Sequence, residues 1–191
     1  MTNESTFILY LVQFPGIMNK KYYETEQRIL CYTIDYLDQN SAASLYNNRI
    51  CNDLKISKHT FYDHFGNIAC LYEKVIDFIQ DSQKSFMEEH YDINHHDIKE
   101  FIASFLDYLD DHRNYLTAYN KIKEDHGFSL VSSLFEKYLF INKEDEERIY
   151  QMCFFCGGVI RLLDEFFIYH KTDRERLTSE IVMFYKKLIL D

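Results

Sequence analysis

A chain of 191 residues with one proline and five glycines can turn sharply in only a few places. Average usage would supply about 13 Gly and about 10 Pro in this length. An all-β sandwich or barrel needs a turn signal every ten residues or so, and this sequence has nowhere to put them. Long helices joined by short links fit, so the expected fold is all-α. An apolar fraction of 47% argues against disorder or low complexity. The length suits one large domain or two small ones, each with its own core.

The net charge is −10 with histidine neutral, which weighs against gripping nucleic acid by bulk charge. No segment approaches the roughly 20 apolar residues that span a bilayer, so no membrane role is expected. Residues 1–19 read as an N-terminal extension. Its apolar run Phe7 to Val12 is short, lacks a preceding Lys or Arg, and does not read as a signal peptide; Met18 offers an alternative start. The cysteines Cys31, Cys51, Cys70, Cys153 and Cys156 are odd in number and irregular in spacing, which points to a reducing, cytoplasmic compartment.

Apolar periodicity places the helices. Tyr23, Leu30, Ile34 and Leu37, with Ile29 and Thr33 beside them, form one face of a helix over 22–39. Two short patterns follow, Arg49 to Leu54 and Lys58 to Phe65, separated by Lys55-Ile56. Ser57 is a natural cap for the second, and Gly66-Asn67 tolerate the positive φ that ends it. A longer helix runs from Ile68 towards Glu89, with Leu71, Val75, Phe78 and Ile79 on one side. Asn94-His95-His96 breaks the chain. Asp97 with Glu100 is a variant capping box before a helix that turns Ile98, Phe101, Ile102, Phe105, Leu106 and Leu109 inward. Further helices are expected over Tyr115 to Lys123 and Phe128 to Phe140. Asn142 and four carboxylates, Glu144 to Glu147, suit the positive end of a helix over 143–169. Its apolar stripe is Ile149, Met152, Cys153, Cys156, Ile160, Leu163 and Phe167. Thr172 with Glu175 opens the last helix, 173–190, which carries Leu177, Ile181, Phe184, Tyr185 and Leu188. The domain boundary falls within the helix that starts at residue 68, which bridges two helical bundles.

The informative stretch is short helix, three-residue turn, short helix between Asn47 and Phe65. In a helix-turn-helix the first helix braces the second, and the second enters the DNA major groove. Ile56, Phe61 and Phe65 can seat the second helix on Ile50 and Leu54. Lys58, His59, Tyr62 and His64 then remain for an exposed side, with groups that can reach phosphates, guanine edges or thymine methyls. The pattern alone equally describes a packed helical hairpin.

The run Ile56-Ser57-Lys58-His59-Thr60-Phe61-Tyr62-Asp63-His64-Phe65 resembles the signature of the TetR family of transcriptional regulators, which typically reads Val-Ser-Lys-Gly-Thr-Phe-Tyr-x-His-Phe. The resemblance reaches back through Ile50 to Leu54 and Arg28 to Leu30, and forward to Leu71-Tyr72. Phe101 to Tyr119 and Phe155 to Phe167, with Gly157-Gly158, also resemble a C-terminal domain of TetR-like regulators of low-GC Gram-positive bacteria. The resemblance implies a three-helix DNA-binding head over 20–67. It also implies a connecting helix and a ligand-binding, dimerising domain over 68–191. Carried over position by position, it places Asn47, Asn48, Ser57, Lys58, His59, Thr60, Tyr62 and His64 at operator DNA, and the charge of Lys55 in the turn makes it a further candidate contact. Two positions depart from the family pattern. Lys55 stands where glycine is common and must adopt a strained φ or reshape the turn. Ile68 stands where a phosphate-binding Lys is common.

Other constellations carry less. Cys153 and Cys156 have CxxC spacing, but no second ligand pair for zinc is visible and a mid-helix position does not activate a thiol; core cysteines or a thiol sensor both remain open. Gly157-Gly158 inside a helix costs about 1 kcal/mol per Gly relative to Ala, offset by close approach of another helix, or else marking a kink or room for a ligand. Phe105, Tyr108, His112, Tyr115, Tyr119, Lys123, His126 and Phe128 combine aromatic surface with polar tips, and with Cys153 they are the candidate ligand-pocket residues. No Gly-rich phosphate loop, nucleophile elbow or HExxH helix occurs, so no enzyme, metal or cofactor is expected.

The charge is informative once divided. Residues 20–84 hold eight basic and nine acidic residues, a net of −1, whereas 85–191 hold 13 and 21, a net of −8. The acidity lies away from the motif, where Arg49, Lys55 and Lys58 gather. The expectation is a ligand-responsive regulator, a repressor by family habit. It binds a palindromic operator as a homodimer joined through the last two helices, under a small-molecule effector. The alternative is an interaction protein or co-regulator on the same scaffold, with weak or no DNA binding.

Overall fold

The computed structural model describes residues 20–90, 97–123, 146–167 and 173–187. The N-terminal extension, the breaks at Asn94-His95-His96 and Asn142, and the helix expected over Phe128 to Phe140 lie outside them. Among the described residues every regular element is helical. The order is α1 (Lys20–Gln39), a 3-10 turn (Ala42–Ser44), α2 (Asn47–Leu54), α3 (Lys58–Phe65), α4 (Ile68–His90), α5 (Ile98–Asp111), α6 (Arg113–Lys123), α7 (Glu146–Phe167) and α8 (Arg174–Tyr185).

Helix starts follow from polar side chains that accept otherwise free amide hydrogens. Ser57 Oγ accepts from the Thr60 amide at 3.0 Å, and Asp97 Oδ1 accepts from Lys99 N at 2.9 Å. Asn67 does not help to end α3 as expected. Gly66 alone takes the positive φ, at 71°, and Asn67 Oδ1 instead accepts from Cys70 N at 2.9 Å to open α4. The cap of α8 is likewise one residue later than the Thr172 expectation: Asp173 Oδ1 accepts from Arg176 N at 2.8 Å. A carboxylate there also complements the helix dipole.

Burial separates the side chains into two cores. The first joins Ile29, Leu30, Ile34 and Leu37 of α1 to Ile50 and Cys51 of α2 and Phe61 and Phe65 of α3. Leu71, Val75, Ile76 and Ile79 of α4 complete it, together with Ala118 and Tyr119 of α6. The second joins Met87 of α4 to the inner faces of α5, α7 and α8. Helix α4 therefore serves both cores, its first three turns in one and its end in the other. Helix α6 ties the two by docking on α1. Asn114 Nδ2 donates to Asp35 Oδ1 at 2.9 Å, and Lys121 Nζ donates to the carbonyls of Leu37 and Asp38 at 2.6 and 3.0 Å. Those carbonyls lie in the last turn of α1, where the dipole favours a cation.

Helix α7 is rotated relative to the expected stripe. Phe155, Cys156, Val159 and Leu163 are buried, Ile160 and Phe167 are half-buried, and Cys153 is exposed. The helix is apolar on more than one side, so a 3.6-residue period does not select a unique inner face; Phe155 and Val159 take the core. The two CxxC thiols consequently part, Cys156 inside and Cys153 outside. In α8, Val182 is buried and Phe184, expected inside, is 39% exposed. Beyond their own helix backbone, no described atom lies within 4 Å of where a Cβ would stand on Gly157 or Gly158, so no other described helix approaches them there. No described helix is long and apolar enough to cross a membrane.

Candidate nucleic-acid interface

The turn between α2 and α3 sets the geometry of the site. Lys55 adopts the left-handed conformation, φ 56° and ψ 41°, and is the one described non-glycine residue with positive φ. The carbonyl of Cys51 accepts from the amides of Lys55 and, at 3.0 Å, of Ile56, closing α2. A left-handed L-residue costs about 1–2 kcal/mol, and the surroundings hold the turn from both sides. Arg28 of α1 donates from Nη2 to the Leu54 carbonyl at 3.1 Å, and Tyr32 donates to the Asp53 carboxylate at 2.5 Å. Burial and that carboxylate raise the Tyr32 phenol well above its ordinary pKa, so it stays a donor.

Beyond the turn, Ser57 caps α3 and its hydroxyl lies 2.8 Å from Thr60 Oγ1. Phe61 and Phe65 enter the first core at 0% and 4% exposure. A helix of 100° per residue with two anchors four apart then presents Lys58, His59 and Tyr62 outward. Lys58 and His59 are exposed, and Tyr62 is 47% exposed. His59 Nδ1 lies 3.0 Å from Asp63 Oδ1 on the same face. From α2, Asn47 Nδ2 donates to the Tyr62 hydroxyl at 2.5 Å, Asn47 Oδ1 accepts from the Asn48 amide at 2.8 Å, and Asn48 is exposed. Asn47 thus orients Tyr62. The structure brings Asn47, Asn48, Lys55, Ser57, Lys58, His59, Thr60 and Tyr62 together along α3 and the start of α2.

His64 departs from that set. It is 7% exposed, stacked on Tyr22 of α1 with ring centroids 3.8 Å apart, and its Nδ1 has no hydrogen-bond partner. Burial lowers its pKa. Position 64 is three residues past Phe61 and beside Phe65, so its side chain points back at α1. Lys74 of α4 pairs with Glu26 of α1 and donates to the His64 carbonyl at 3.2 Å, while Tyr22 donates to the Asp63 carbonyl at 3.2 Å. Together these groups anchor the last turn of α3.

Two residues beside the motif, exposed Tyr46 and half-buried Arg49, fall outside the expected set. Tyr46, the residue before α2, is 50% exposed. Arg49 lies 5.4 and 5.7 Å from the ring centroids of Tyr36 and Tyr46 and donates to the Tyr36 hydroxyl at 3.1 Å. The tyrosines hold this guanidinium at the edge of the same surface. An aromatic directly before a helix start, on the side of the motif, was the available signal for Tyr46. Ile68 is half-buried against the first core and presents no cation.

The candidate pocket residues do not surround one space. Phe105 and Tyr108 belong to the second core and Tyr119 to the first, and Cys153 is exposed on α7. Between the cores they form a line of rings: Tyr108 stacks on His112 at 4.3 Å, His112 meets Tyr115 at 4.9 Å, and Tyr115 meets Phe78 at 5.9 Å. Tyr108 bonds Ser82 Oγ at 2.8 Å, and burial pushes its phenol up to about 12. Alternating apolar and polar tips mark a junction of helices as readily as a pocket, which is why periodicity could not separate the two. Lys123 ends α6, while His126 and Phe128 lie outside the described residues. A groove of about 580 Å³ opens instead between α5 and α8, and none of these candidates lines it. No cluster of three or more metal-ligating side chains occurs among the described residues.

No protein-family model matches the chain, and no curated protein matches it in sequence. Solved structures do. A tetR-family transcriptional regulator from Streptomyces coelicolor superposes with a TM-score of 0.63 at 11% identity, over 91% of this chain and 82% of that one. A transcriptional regulator of the TerR/AcrR family from Aquifex aeolicus VF5 superposes with a TM-score of 0.57 at 16% identity, over 86% and 99%. The chain has the all-α TetR-like fold.

Proposed function

We propose that this TetR-like chain is a transcriptional regulator, not an enzyme, that binds operator DNA through α3. The observation that carries the reading is the two-sided character of α3. Phe61 and Phe65 lock it to the first core, while Lys58, His59 and Tyr62 face outward beside Asn48 and Lys55. Ammonium, imidazole and phenol groups on the outer side of the second helix of a helix-turn-helix suit phosphates and major-groove base edges. His64, in this reading, is a structural residue. Residues 20–67 with the first turns of α4 act as the DNA-binding head, and the remainder as the effector and dimerisation domain.

Dimerisation through the last two helices is supported by their outer faces. Tyr150 and Phe154 of α7 are 69% and 70% exposed, and Phe184 of α8 is 39% exposed. Gly157 and Gly158 continue the α7 face with no other described helix over them. Closely spaced exposed aromatics mark an association surface, and a second copy approaching the glycines offsets their helical cost. A small effector in the second core would act by changing how α6 sits on α1, through Asn114 and Lys121. Two buried polar atoms without partners among the described residues, Gln83 Oε1 of α4 and Asn120 Oδ1 of α6, support an internal ligand near the junction of the cores. The sign of regulation is proposed as repression.

One observation favours the alternative of a partner-dependent co-regulator: Ile68 packs inward at a place where a phosphate contact is absent. The two are separated by selecting a binding site from a random duplex pool and footprinting it. Regulator function predicts an inverted repeat, protected by the dimer, with binding weakened in both Lys58→Ala and Tyr62→Ala. Failure to enrich any site with the dimer intact refutes it.

A further inference from the structure

We infer that the groove between α5 and α8 is a binding site for a small amphiphilic carboxylate, separate from any effector site inside the second core. The two helices pack so that the start of α5 lies beside the end of α8. At the opposite end of the pair Arg174 of α8 meets Asp107 of α5 in an ion pair. At this end the groove is lined by Lys99, Ser179, Val182, Met183, Lys186 and Lys187. None of the three ammonium groups has a carboxylate partner among the described residues, although residues 85–191 carry a net charge of −8. Lys186 and Lys187 follow the end of α8, where the helix dipole welcomes a cation. Lys99, in contrast, stands in the first turn of α5, at the positive end of its dipole. Three like charges line one groove, one of them against its own helix dipole, and although Asp97 and Glu100 flank Lys99 in the first turn of α5, an anion in the groove relieves the repulsion among the ammonium groups.

The lining selects the kind of anion. Val182 and Met183 form an apolar floor, and the lining among the described residues contains no aromatic ring for a base or planar cofactor to stack on. It also lacks an arginine fork, the side chain suited to bidentate phosphate recognition. Its volume of about 580 Å³ falls in the range of small-molecule sites. A carboxylate head on the ammonium groups with a short aliphatic tail on Val182 and Met183 satisfies both halves.

The test is calorimetric titration of the full chain at low ionic strength with octanoate below its micellar concentration. Propionate and inorganic phosphate serve as comparison probes, and Lys99→Gln/Lys186→Gln/Lys187→Gln as the variant. All three lysines are exposed, so the variant is expected to unfold at the wild-type temperature. Octanoate should bind at least roughly tenfold more tightly than propionate or phosphate. Loss of three exposed charge contacts should weaken it by roughly tenfold or more. The proposal is overturned if octanoate gives no binding, if phosphate binds as tightly (a charge-only site), or if the triple variant binds octanoate like the wild type. The last result would place the ligand in the interior, and operator binding measured on the same variant keeps the DNA reading independent of all three.

Discussion

Replacing Lys74 by alanine removes a cation held between α1 and the last turn of α3. Its ammonium pairs with Glu26, donates to the His64 carbonyl at 3.2 Å and lies 5.1 Å from the Phe65 ring centroid. The Glu26 side chain is only 12% exposed, that of Lys74 41%. Breaking a fully buried pair strands a charge and costs about 3–5 kcal/mol. Solvent at the lysine end reduces this to about 2 kcal/mol. In a chain of this size that corresponds to a fall in Tm of about 4–8 °C. The assay is urea and thermal unfolding followed by circular dichroism, at one fixed protein concentration because self-association shifts apparent stability. Glu26→Ala and the double variant complete a cycle. Removing both charges leaves no orphan, so the double variant should be more stable than the sum of the singles by about 1–2 kcal/mol. A Lys74→Ala loss below about 0.5 kcal/mol, or an additive cycle, would refute the anchoring argument.

Three further outcomes follow from the same geometry. His64 is held below its ordinary pKa by burial, with Lys74 acting in the same direction and Glu26 and Asp63 opposing. The unfolded chain therefore takes up a proton near pH 6.5 that the folded chain resists, so stability is complete above about pH 6.5 and is lost as pH falls through the folded value. Urea unfolding across that range should show a steeper acid loss for wild type than for His64→Gln. Ser57→Ala removes the α3 cap and should cost about 1 kcal/mol, with Ser57→Asp retaining stability. Phe154→Glu places a charge on the exposed α7 face and should shift sedimentation from dimer to monomer without unfolding the chain; an unchanged dimer would move the interface elsewhere.

The sequence was most legible where one face of an element had a single use. The bounds of α3, the Ser57 cap and the positive φ at Gly66 all follow from local chemistry in a ten-residue window. Lys55 was legible as a dilemma, and the structure resolves it as a left-handed residue secured by Arg28 and Tyr32. His64 was expected on the exposed side and is buried, because a pattern cannot show that α1 lies across the end of α3; only the Tyr22 stack decides its side. The same holds for α7, whose several apolar sides made Cys153 and Cys156 look equivalent. Phe105, Tyr108, His112, Tyr115 and Tyr119 share a composition, and what separates them is that α6 crosses from one core to the other. The α5–α8 groove joins positions some eighty residues apart, so no local window contains it.

In the proposed function, operator recognition rests on a few placed contacts on a near-neutral head. Its most direct test is the salt dependence of binding to the selected inverted repeat, with random duplex in parallel. If Lys55 and Lys58 of two subunits each neutralise one phosphate, log K should fall against log salt with a slope of about −4, and Lys58→Ala should flatten it by about 2. Random duplex should bind far more weakly at every salt concentration. An unaltered slope in Lys58→Ala, or equal affinity for random duplex, would contradict the account.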